Sequence, residues 1–285
     1  MEDDKMKRAY GYSSKAFREK LHKESEPDAR ILEQIEATDI IVVTGEYDKA
    51  ELVLSSLSVK FTVIVPHHVK RVNLRPEQTV LINCPGNLDR PGIENIRQFV
   101  EAGGLLVTTD WALKHVLEPA FPGYVRYNEK PTGDDVVRIQ FHDEGHKFLD
   151  GLIEKSSDPL WWLEGSSYPI EVLDKEKVTV LISSGEMGEK YGESPIAIKF
   201  SHGKGEVFHI VSHYYLQRSE LRSAKDKDSA KNYFSDMDCL LNDEVDDDLF
   251  QSDVASAYTS TSFLSKMIIE KKKKMGFKTG DEKKN

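Results

Sequence analysis

Short apolar runs rich in β-branched residues alternate with amphipathic stretches between residues 38 and 110. The runs predict strands over 40–44, 61–65, 80–82 and 105–107. The stretches between them predict helices over 48–57 and 91–102, and the second helix has Ile93, Ile96 and Phe99 on one face. Strands that alternate with helices of about ten residues are typical of a parallel sheet with helices on both faces.

The pattern changes after residue 135, where apolar and polar residues begin to alternate. Further strands are predicted over 136–141, 178–182, 196–200 and 207–211. The tetrapeptide His202–Gly205, between the last two, has the length and the glycines of a hairpin turn. We therefore expect these later strands to extend the sheet as antiparallel members of an α/β fold.

Both ends of the chain differ from this central region. Ser13 or Ser14 is expected to cap a short helix, and Pro27 to begin a second one. Towards the other end, an acidic run at 243–248 is interpreted as a solvated linker, and a long helix is predicted over 254–274.

The chain is accordingly divided into three parts, which are an N-terminal helical extension (1–36), an α/β domain (37–217) and a C-terminal part (218–285). The last part comprises a charged linker, the predicted helix and a tail expected to be disordered. Amphipathic helices need a surface to pack on. We therefore expect the terminal helices to lie on the α/β domain, on a protein partner or on a second copy of the chain.

Composition excludes several classes of protein. The chain has 39 Lys and Arg against 49 Asp and Glu, and its net charge of −10 disfavours nucleic acid as a partner. No apolar run approaches the roughly 18 residues of a membrane span, and the charged start Met1–Lys5 is unlike a signal peptide. A cytoplasmic protein without a membrane partner is expected. Cys84 and Cys239 are too few for a disulfide framework or a four-cysteine zinc site.

Several segments carry a family resemblance. Val80–Gly86, the helix after it that ends at a glycine pair, and the strand that follows resemble the class I glutamine amidotransferase-like superfamily, which includes ThuA-like proteins. His146–Leu152 resembles the HP-x-x-x-G turn of that family, and Lys204–His213 resembles its G-x-G-R-V strand, which ends in a histidine. The resemblance covers residues 38–217 and implies a flavodoxin-like, mostly parallel sheet.

The same resemblance implies a defective catalytic triad. In catalytic members of the family, a cysteine lies on the turn after the strand that follows the glycine pair. A histidine and then a glutamate follow the late strand, and catalysis needs all three as nucleophile, base and orienting group. Here Asp110 stands on that turn, and Tyr214 and Tyr215 follow His213 where the glutamate is expected. The chain therefore resembles a degenerate amidotransferase-like domain, a pseudoenzyme that works by binding.

Side chains at the predicted strand ends form the candidate site, because open α/β sheets bind ligands there. Asp110 and His213, with Thr109, are the candidate catalytic groups, and the first two are a plausible acid–base pair. Asp110 is alternatively the cap of the next helix, and His213 is alternatively a hydrogen-bonded structural residue. The ligand-binding candidates are Gly45, Glu46, Cys84, Gly86 and Trp111.

Neither a reactive thiol nor a metal is expected. Cys84 lies one strand too early for the nucleophile of the family, so it is interpreted as a buried thiol beneath a loop. A reactive thiolate would need a cationic neighbour. His142 and His146 are four residues apart, but no third ligand accompanies them, so no metal and no cofactor is predicted.

The leading prediction is a non-catalytic amidotransferase-like domain that acts as a protein-interaction or assembly module. The alternative is a small hydrolase or ligand-processing enzyme that uses Asp110 and His213 at the strand-end crevice. A small-molecule sensor at the same crevice is the third possibility. The interaction module and the enzyme differ in whether the protein has catalytic activity, and the sequence does not decide between them.

Overall fold

The computed structural model describes residues 2–142, 160–216, 225–239, 241 and 245–276. Its α-helices are α1 (Glu2–Glu24), α2 (Glu26–Glu33), α3 (Ala50–Ser56), α4 (Arg90–Ala102), α5 (Glu118–Ala120), α6 (Gly185–Tyr191), α7 (Ala230–Asp236) and α8 (Gln251–Lys274). Its strands are β1 (Ile40–Val43), β2 (Thr62–Ile64), β3 (Thr79–Ile82), β4 (Leu105–Thr109), β5 (Val125–Tyr127), β6 (Asp135–Arg138), β7 (Gln140–Phe141), β8 (Leu160–Leu163), β9 (Ile170–Val172), β10 (Val178–Ser183), β11 (Pro195–His202) and β12 (Gly205–Ile210). The family-like turn at 146–152, with His146, and the tail at 277–285 lie outside the described residues.

The chain forms two compact units. Unit 1 comprises Met1–Ile35, Leu52–Lys60 and Tyr214–Asn285, and unit 2 comprises Glu36–Glu51 and Phe61–His213. Unit 2 therefore contains every described strand, whereas the two terminal segments of the chain belong to the same unit.

Unit 2 is built on an eight-stranded sheet with the strand order β2-β1-β3-β4-β12-β11-β10-β7. The pairings from β2 to β12 are parallel, and those from β12 to β7 are antiparallel. Every residue of β1, β3 and β4 is buried, as parallel strands covered on both faces require. The predicted flavodoxin-like α/β fold, flanked by helices and extended by antiparallel strands, is confirmed.

The later strands confirm one local prediction and correct another. Gly203 and Lys204 join β11 to β12 as the predicted hairpin turn, with Gly203 at a φ of +59°. The single strand predicted over 136–141 is wrong, because the chain changes sheets there. β6 pairs with β8 in a separate two-stranded sheet, and only β7 joins the main sheet. Trp161 and Trp162 of β8 are both buried, which is a core role.

Unit 1 is helical, and α8 contacts α1, α2 and α7 within it. Ser13 Oγ donates to the Val254 carbonyl oxygen at 2.9 Å. Lys5 Nζ lies 2.7 Å from Asp253 Oδ2, and that carboxylate is almost fully buried. Most of α8 is buried around its whole circumference. No described helix has the combination of length and apolar composition that crossing a membrane requires.

The structure corrects two expectations about the terminal segments. Ser13 and Ser14 do not cap a short helix, because they are buried in the middle of the continuous α1. Two aspartates of the acidic run, Asp246 and Asp248, are bound by Arg8, whose Nη1 and Nη2 lie 2.7 Å and 2.8 Å from their respective carboxylate oxygens. This run is therefore tied to α1 at those positions and is not simply a solvated linker.

A buried histidine makes unit 2 sensitive to acid. His209 of β12 has no exposed surface, and its Nδ1 lies 2.9 Å from Thr108 Oγ1. Burial lowers the pKa of His209 from 6.5 to about 3, since the imidazolium would lose its hydration. In this range the unfolded chain binds a proton that the folded protein excludes. The free energy of unfolding therefore falls as the pH falls from 6.5 towards 3.

We expect His209→Asn to remove this acid sensitivity. Through this group, wild-type unit 2 should lose about 2 kcal/mol of unfolding free energy between pH 7 and pH 5, and the variant should not. Urea unfolding at both pH values, followed by tryptophan fluorescence, measures the difference, because all three tryptophans lie in unit 2. The exposed His142→Asn should behave like wild type. An unchanged pH dependence in His209→Asn would show that His209 binds a proton as readily in the folded protein as in the unfolded chain.

Candidate functional site

Three side chains of unit 2 lie where adjacent parallel strands end. Cys84 follows β3, Asp110 follows β4 and His213 follows β12. Because β3, β4 and β12 are parallel neighbours, their carboxyl ends meet at one edge of the sheet. One sulfur, oxygen or nitrogen atom from each residue lies within 4.8 Å of those of the other two. These three residues are called the strand-end cluster below.

Asp110 and His213 form the pair that the sequence predicted. Asp110 Oδ2 lies 3.6 Å from His213 Nε2, and each side chain is only 4% exposed. Neither ring nitrogen of His213 has a hydrogen-bond partner with good geometry among the described residues. The imidazole is therefore held among polar groups with both of its nitrogens available for further bonding.

The backbone at Asp110 forms a sharp elbow, with a φ of +46°. Its carboxylate does not cap the next helix as an alternative prediction had it. Instead, Oδ2 accepts a hydrogen bond from Ser167 Oγ at 3.1 Å, and Oδ1 accepts one from the Tyr168 N–H at 2.7 Å. Burial raises the pKa of Asp110 to about 6, against the opposing effects of His213 and of these two hydrogen bonds.

His213 is surrounded by acidic groups. Its Nδ1 lies 3.4 Å from Glu164 Oε2, on a second side of the ring from Asp110. Burial opposes the charged imidazolium, but contacts with Cys84 and Glu164 and the charges of Asp48 and Asp110 outweigh it. Together they raise the pKa of His213 well above 6.5.

Cys84 is buried, as predicted, but its surroundings differ from the expectation. Burial raises the pKa of its thiol, and the nearby His213 acts in the opposite direction. The Cys84 N–H donates to Thr109 Oγ1 at 3.1 Å, so Thr109 positions the backbone beside the strand-end cluster. The cationic neighbour that a reactive thiol needs, and that the sequence did not reveal, is His213.

The loop after β1 contacts the cluster through its backbone. The Cys84 carbonyl accepts hydrogen bonds from the N–H groups of Glu46 and Tyr47, at 3.0 Å and 3.2 Å. A Cβ on Gly45 would lie 2.0 Å from the same carbonyl oxygen. Gly86 has a φ of +74°, and a Cβ there would lie 2.8 Å from a methyl carbon of Val116. Both glycines thus have a structural reason to be present, apart from any ligand contact.

Aromatic side chains extend from the cluster. The Trp111 ring lies 5.1 Å from Tyr47 and 5.3 Å from Tyr168, measured between centroids, and Tyr168 stacks on Tyr127 at 3.8 Å. Trp111 Nε1 donates to the Ser166 carbonyl at 2.7 Å, which fixes the indole. These four rings (Tyr47, Trp111, Tyr127 and Tyr168) are called the aromatic rim, and Tyr47 is 43% exposed.

Sequence reasoning missed four residues that complete the site. Asp48 follows β1, and Glu164, Ser167 and Tyr168 follow β8. A sequence signal did exist for Glu164, since it is a polar residue immediately after the apolar run of β8. Nothing in the sequence showed that this segment returns to the edge of the main sheet, because β8 belongs to a different sheet.

The chain is similar to known proteins in structure only. No family model matches the chain, and no curated protein matches it. A ThuA-like protein from Bacteroides uniformis is 14% identical, with a TM-score of 0.44 over 62% of this chain and 80% of that one. The cytoplasmic protein STM1381 from Salmonella typhimurium LT2 is 14% identical, with a TM-score of 0.45 over 61% of this chain and 88% of that one.

A larger enzyme shows a similar degree of likeness. Gan42B, a GH42 β-galactosidase from G. stearothermophilus, is 15% identical, with a TM-score of 0.41 over 61% of this chain. The match spans 27% of the length of that enzyme. At these levels of similarity, none of the three proteins assigns an activity to this chain.

Proposed function

We propose that the protein is a small-molecule hydrolase whose reacting water is held by Asp110 and His213 at the strand-end cluster. The observation that carries this proposal is the 3.6 Å contact between two side chains that are each only 4% exposed. Buried ionisable groups are costly to keep in a fold. They cluster where a protein needs proton transfer, and in open α/β sheets ligands bind at this edge.

The chemistry of the pair suits neutral pH. A carboxyl group with a pKa of about 6 is a carboxylate at pH 7 and still accepts a proton readily. Asp110 takes a proton from water as the water oxygen bonds to a carbonyl carbon. The bond from that carbon to the leaving oxygen or nitrogen then breaks, and His213 returns a proton to the leaving group. The products are a carboxylic acid and an alcohol or amine.

The charges around the site favour an uncharged substrate. Asp48 and Asp110 through their charges, and Glu164 through its contact, all raise the pKa of His213, so an incoming phosphate or carboxylate would meet several like charges. The aromatic rim offers apolar surface beside them, with Tyr47 accessible to solvent. We therefore propose an uncharged ester or amide with an apolar or planar portion as the substrate class.

Steady-state hydrolysis by the full chain tests this proposal. The substrates are p-nitrophenyl acetate, p-nitrophenyl butyrate, an uncharged acyl p-nitroanilide and, as an anionic comparison, p-nitrophenyl phosphate. We expect saturable turnover of at least one acyl substrate and none of the phosphate. Asp110→Asn and His213→Gln should each lower kcat/KM about 100-fold or more, since each removes one partner in proton transfer.

Two matched variants control for substitution as such. His142→Gln changes an exposed histidine and Asp174→Asn a half-buried aspartate that pairs with Lys177. Both lie outside the cluster and should leave kcat/KM unchanged. Tryptophan fluorescence verifies that unit 2 is folded in every variant. Absence of saturable turnover, or full activity in Asp110→Asn and His213→Gln, would reject the hydrolase.

The resemblance of the motifs supports a distant relationship to the class I glutamine amidotransferase-like superfamily. We do not extend the glutaminase activity of that family to this chain, since Asp110 stands where the nucleophile is expected. The assembly role predicted for the terminal helices stays a prediction. It is the function that remains if the cluster neither turns over a substrate nor binds one.

A further inference from the structure

We propose that the strand-end cluster binds a divalent transition-metal ion of the zinc type, with Cys84, Asp110 and His213 as the protein ligands. This inference departs from the sequence, which predicted no metal. Metal binding does not depend on the proposed hydrolysis, whereas a catalytic role of the ion rests on that proposed function.

The ligand atoms suit this class of ion. A thiolate sulfur, an imidazole nitrogen and a carboxylate oxygen are the donors that zinc takes in proteins, and catalytic zinc sites combine three protein ligands with a water. Bond lengths of about 2.0 to 2.3 Å place neighbouring ligands of a tetrahedral ion about 3.3 to 3.8 Å apart. Asp110 Oδ2 and His213 Nε2 are already 3.6 Å apart. The three donor atoms lie within 4.8 Å of one another, so small side-chain rotations complete the geometry.

Residues behind the ligands are arranged as metal sites require. A ligating histidine usually presents its other ring nitrogen to a carboxylate, which fixes the orientation of the ring. Glu164 Oε2 lies 3.4 Å from His213 Nδ1, and this leaves Nε2 directed towards Asp110. Asp110 is held in turn by Ser167 and Tyr168. Both proposed ligands are thus positioned by a second layer of contacts.

The charge of the site also calls for a cation. Asp110 Oδ2 and Glu164 Oε2 lie 3.6 Å and 3.4 Å from the two nitrogens of a single imidazole, and Asp110 is buried. The Cys84 thiol adds a further group that becomes anionic when it binds a metal. Buried carboxylates are stable when they are paired or coordinate a metal ion. Neither ring nitrogen of His213 has a hydrogen bond of good geometry among the described residues, so Nε2, on the side of Asp110, is available as a ligand.

In the proposed hydrolase, the bound ion would lower the pKa of a coordinated water towards neutrality. Asp110 and His213 would then hold the ion as ligands, and their roles in proton transfer would pass to another group, which accepts the proton of the water and returns it to the leaving group. Glu164, at 27% side-chain exposure, is the carboxylate that remains to accept its proton.

Cobalt titration of the full chain after chelator treatment tests the site. Co²⁺ bound to a thiolate gives a sulfur-to-cobalt charge-transfer band in the near ultraviolet, and excess Zn²⁺ should remove this band by displacing Co²⁺. We expect saturation at one Co²⁺ per chain. Cys84→Ser should abolish the band, while Asp110→Asn and His213→Gln should each weaken binding 10-fold or more.

Cys239→Ser is the matched control, because Cys239 is the other cysteine of the chain and lies in unit 1. It should keep the band and the affinity of wild type. Absence of the band in wild type, or its persistence in Cys84→Ser, would overturn the inference. Hydrolysis measured on the same chelated and reloaded samples separates the two proposals. If the protein binds Co²⁺ but shows no turnover, the metal site stands and the hydrolase is rejected. If the protein binds no Co²⁺ but shows full turnover after chelation, the hydrolase stands and the metal site is rejected.

Discussion

Gly45→Ala is expected to lower the unfolding free energy of unit 2 by about 3 kcal/mol or more. The added methyl group would lie 2.0 Å from the Cys84 carbonyl oxygen and 2.7 Å from Asn83 Cβ. The first of these atoms is backbone, so no side-chain rotation can relieve the contact. The same carbonyl binds the N–H groups of Glu46 and Tyr47. The substitution therefore forces apart the loops that position Cys84.

Urea unfolding followed by tryptophan fluorescence measures this loss. Gly185→Ala is the control, since it is also in unit 2 and nothing lies within 4 Å of the added methyl group. We expect Gly185→Ala to retain the stability of wild type. Equal stability of the two variants would mean that the loops after β1 and β3 are not in close contact.

The second large effect is expected in unit 1. Leu264 lies in the middle of α8 and has no exposed surface. Leu264→Asp would bury a carboxylate in place of an apolar side chain, which should lower the unfolding free energy by about 4 kcal/mol or more. Since α8 contacts α1, α2 and α7, we expect a loss of helix content that far-ultraviolet circular dichroism detects.

Thr259→Asp is the matched control on the same helix, because its side chain is only partly buried. It should retain the helix content and the thermal midpoint of wild type. A native circular dichroism spectrum and an unchanged midpoint for Leu264→Asp would contradict the burial of α8 inside unit 1. Gel filtration of both variants also measures whether they self-associate, which is one role predicted for the terminal helices.

The main sheet was predictable because its signals are local. β1, β3 and β4 are short, fully buried apolar runs, and β2 is a short β-branched run that is only partly buried; length and composition identify such runs. The hairpin at Gly203 was readable for the same reason. The switch of sheets between β6 and β7 was not, since it depends on a partner strand, β8, that is distant in the sequence.

The terminal helices show how tertiary contacts override a local signal. Ser13 and Ser14 have the chemistry of a helix cap, and Gly11 before them favours a break. The helix continues through all three residues, and Ser13 donates to a carbonyl of α8. Packing against α8 offsets the weak intrinsic helix preference of these three residues. The sequence of α1 alone contains no sign of this packing.

The candidate site was predictable only in part. Asp110 and His213 could be placed together because both follow parallel strands, and parallel strands end at one edge. Glu164, Ser167 and Tyr168 arrive from a segment of a different sheet, so no spacing rule brings them to the same place. The interpretation of Cys84 as an ordinary buried thiol missed His213 for a related reason. His213 follows β12, which is two strands away from β3 in the sheet, and the position of Cys84 along the chain does not show that these two strand ends meet.

A double-mutant cycle between Asp110 and His213 tests most directly that they act as one pair. The unfolding free energies of wild type, Asp110→Asn, His213→Gln and the double variant are measured with chelator present, by urea unfolding and tryptophan fluorescence. Groups in direct contact are coupled, so the second replacement should cost at least about 1 kcal/mol less once the first has been made. Costs that add to within about 0.4 kcal/mol would contradict the pairing, and with it the site on which the proposed hydrolysis depends.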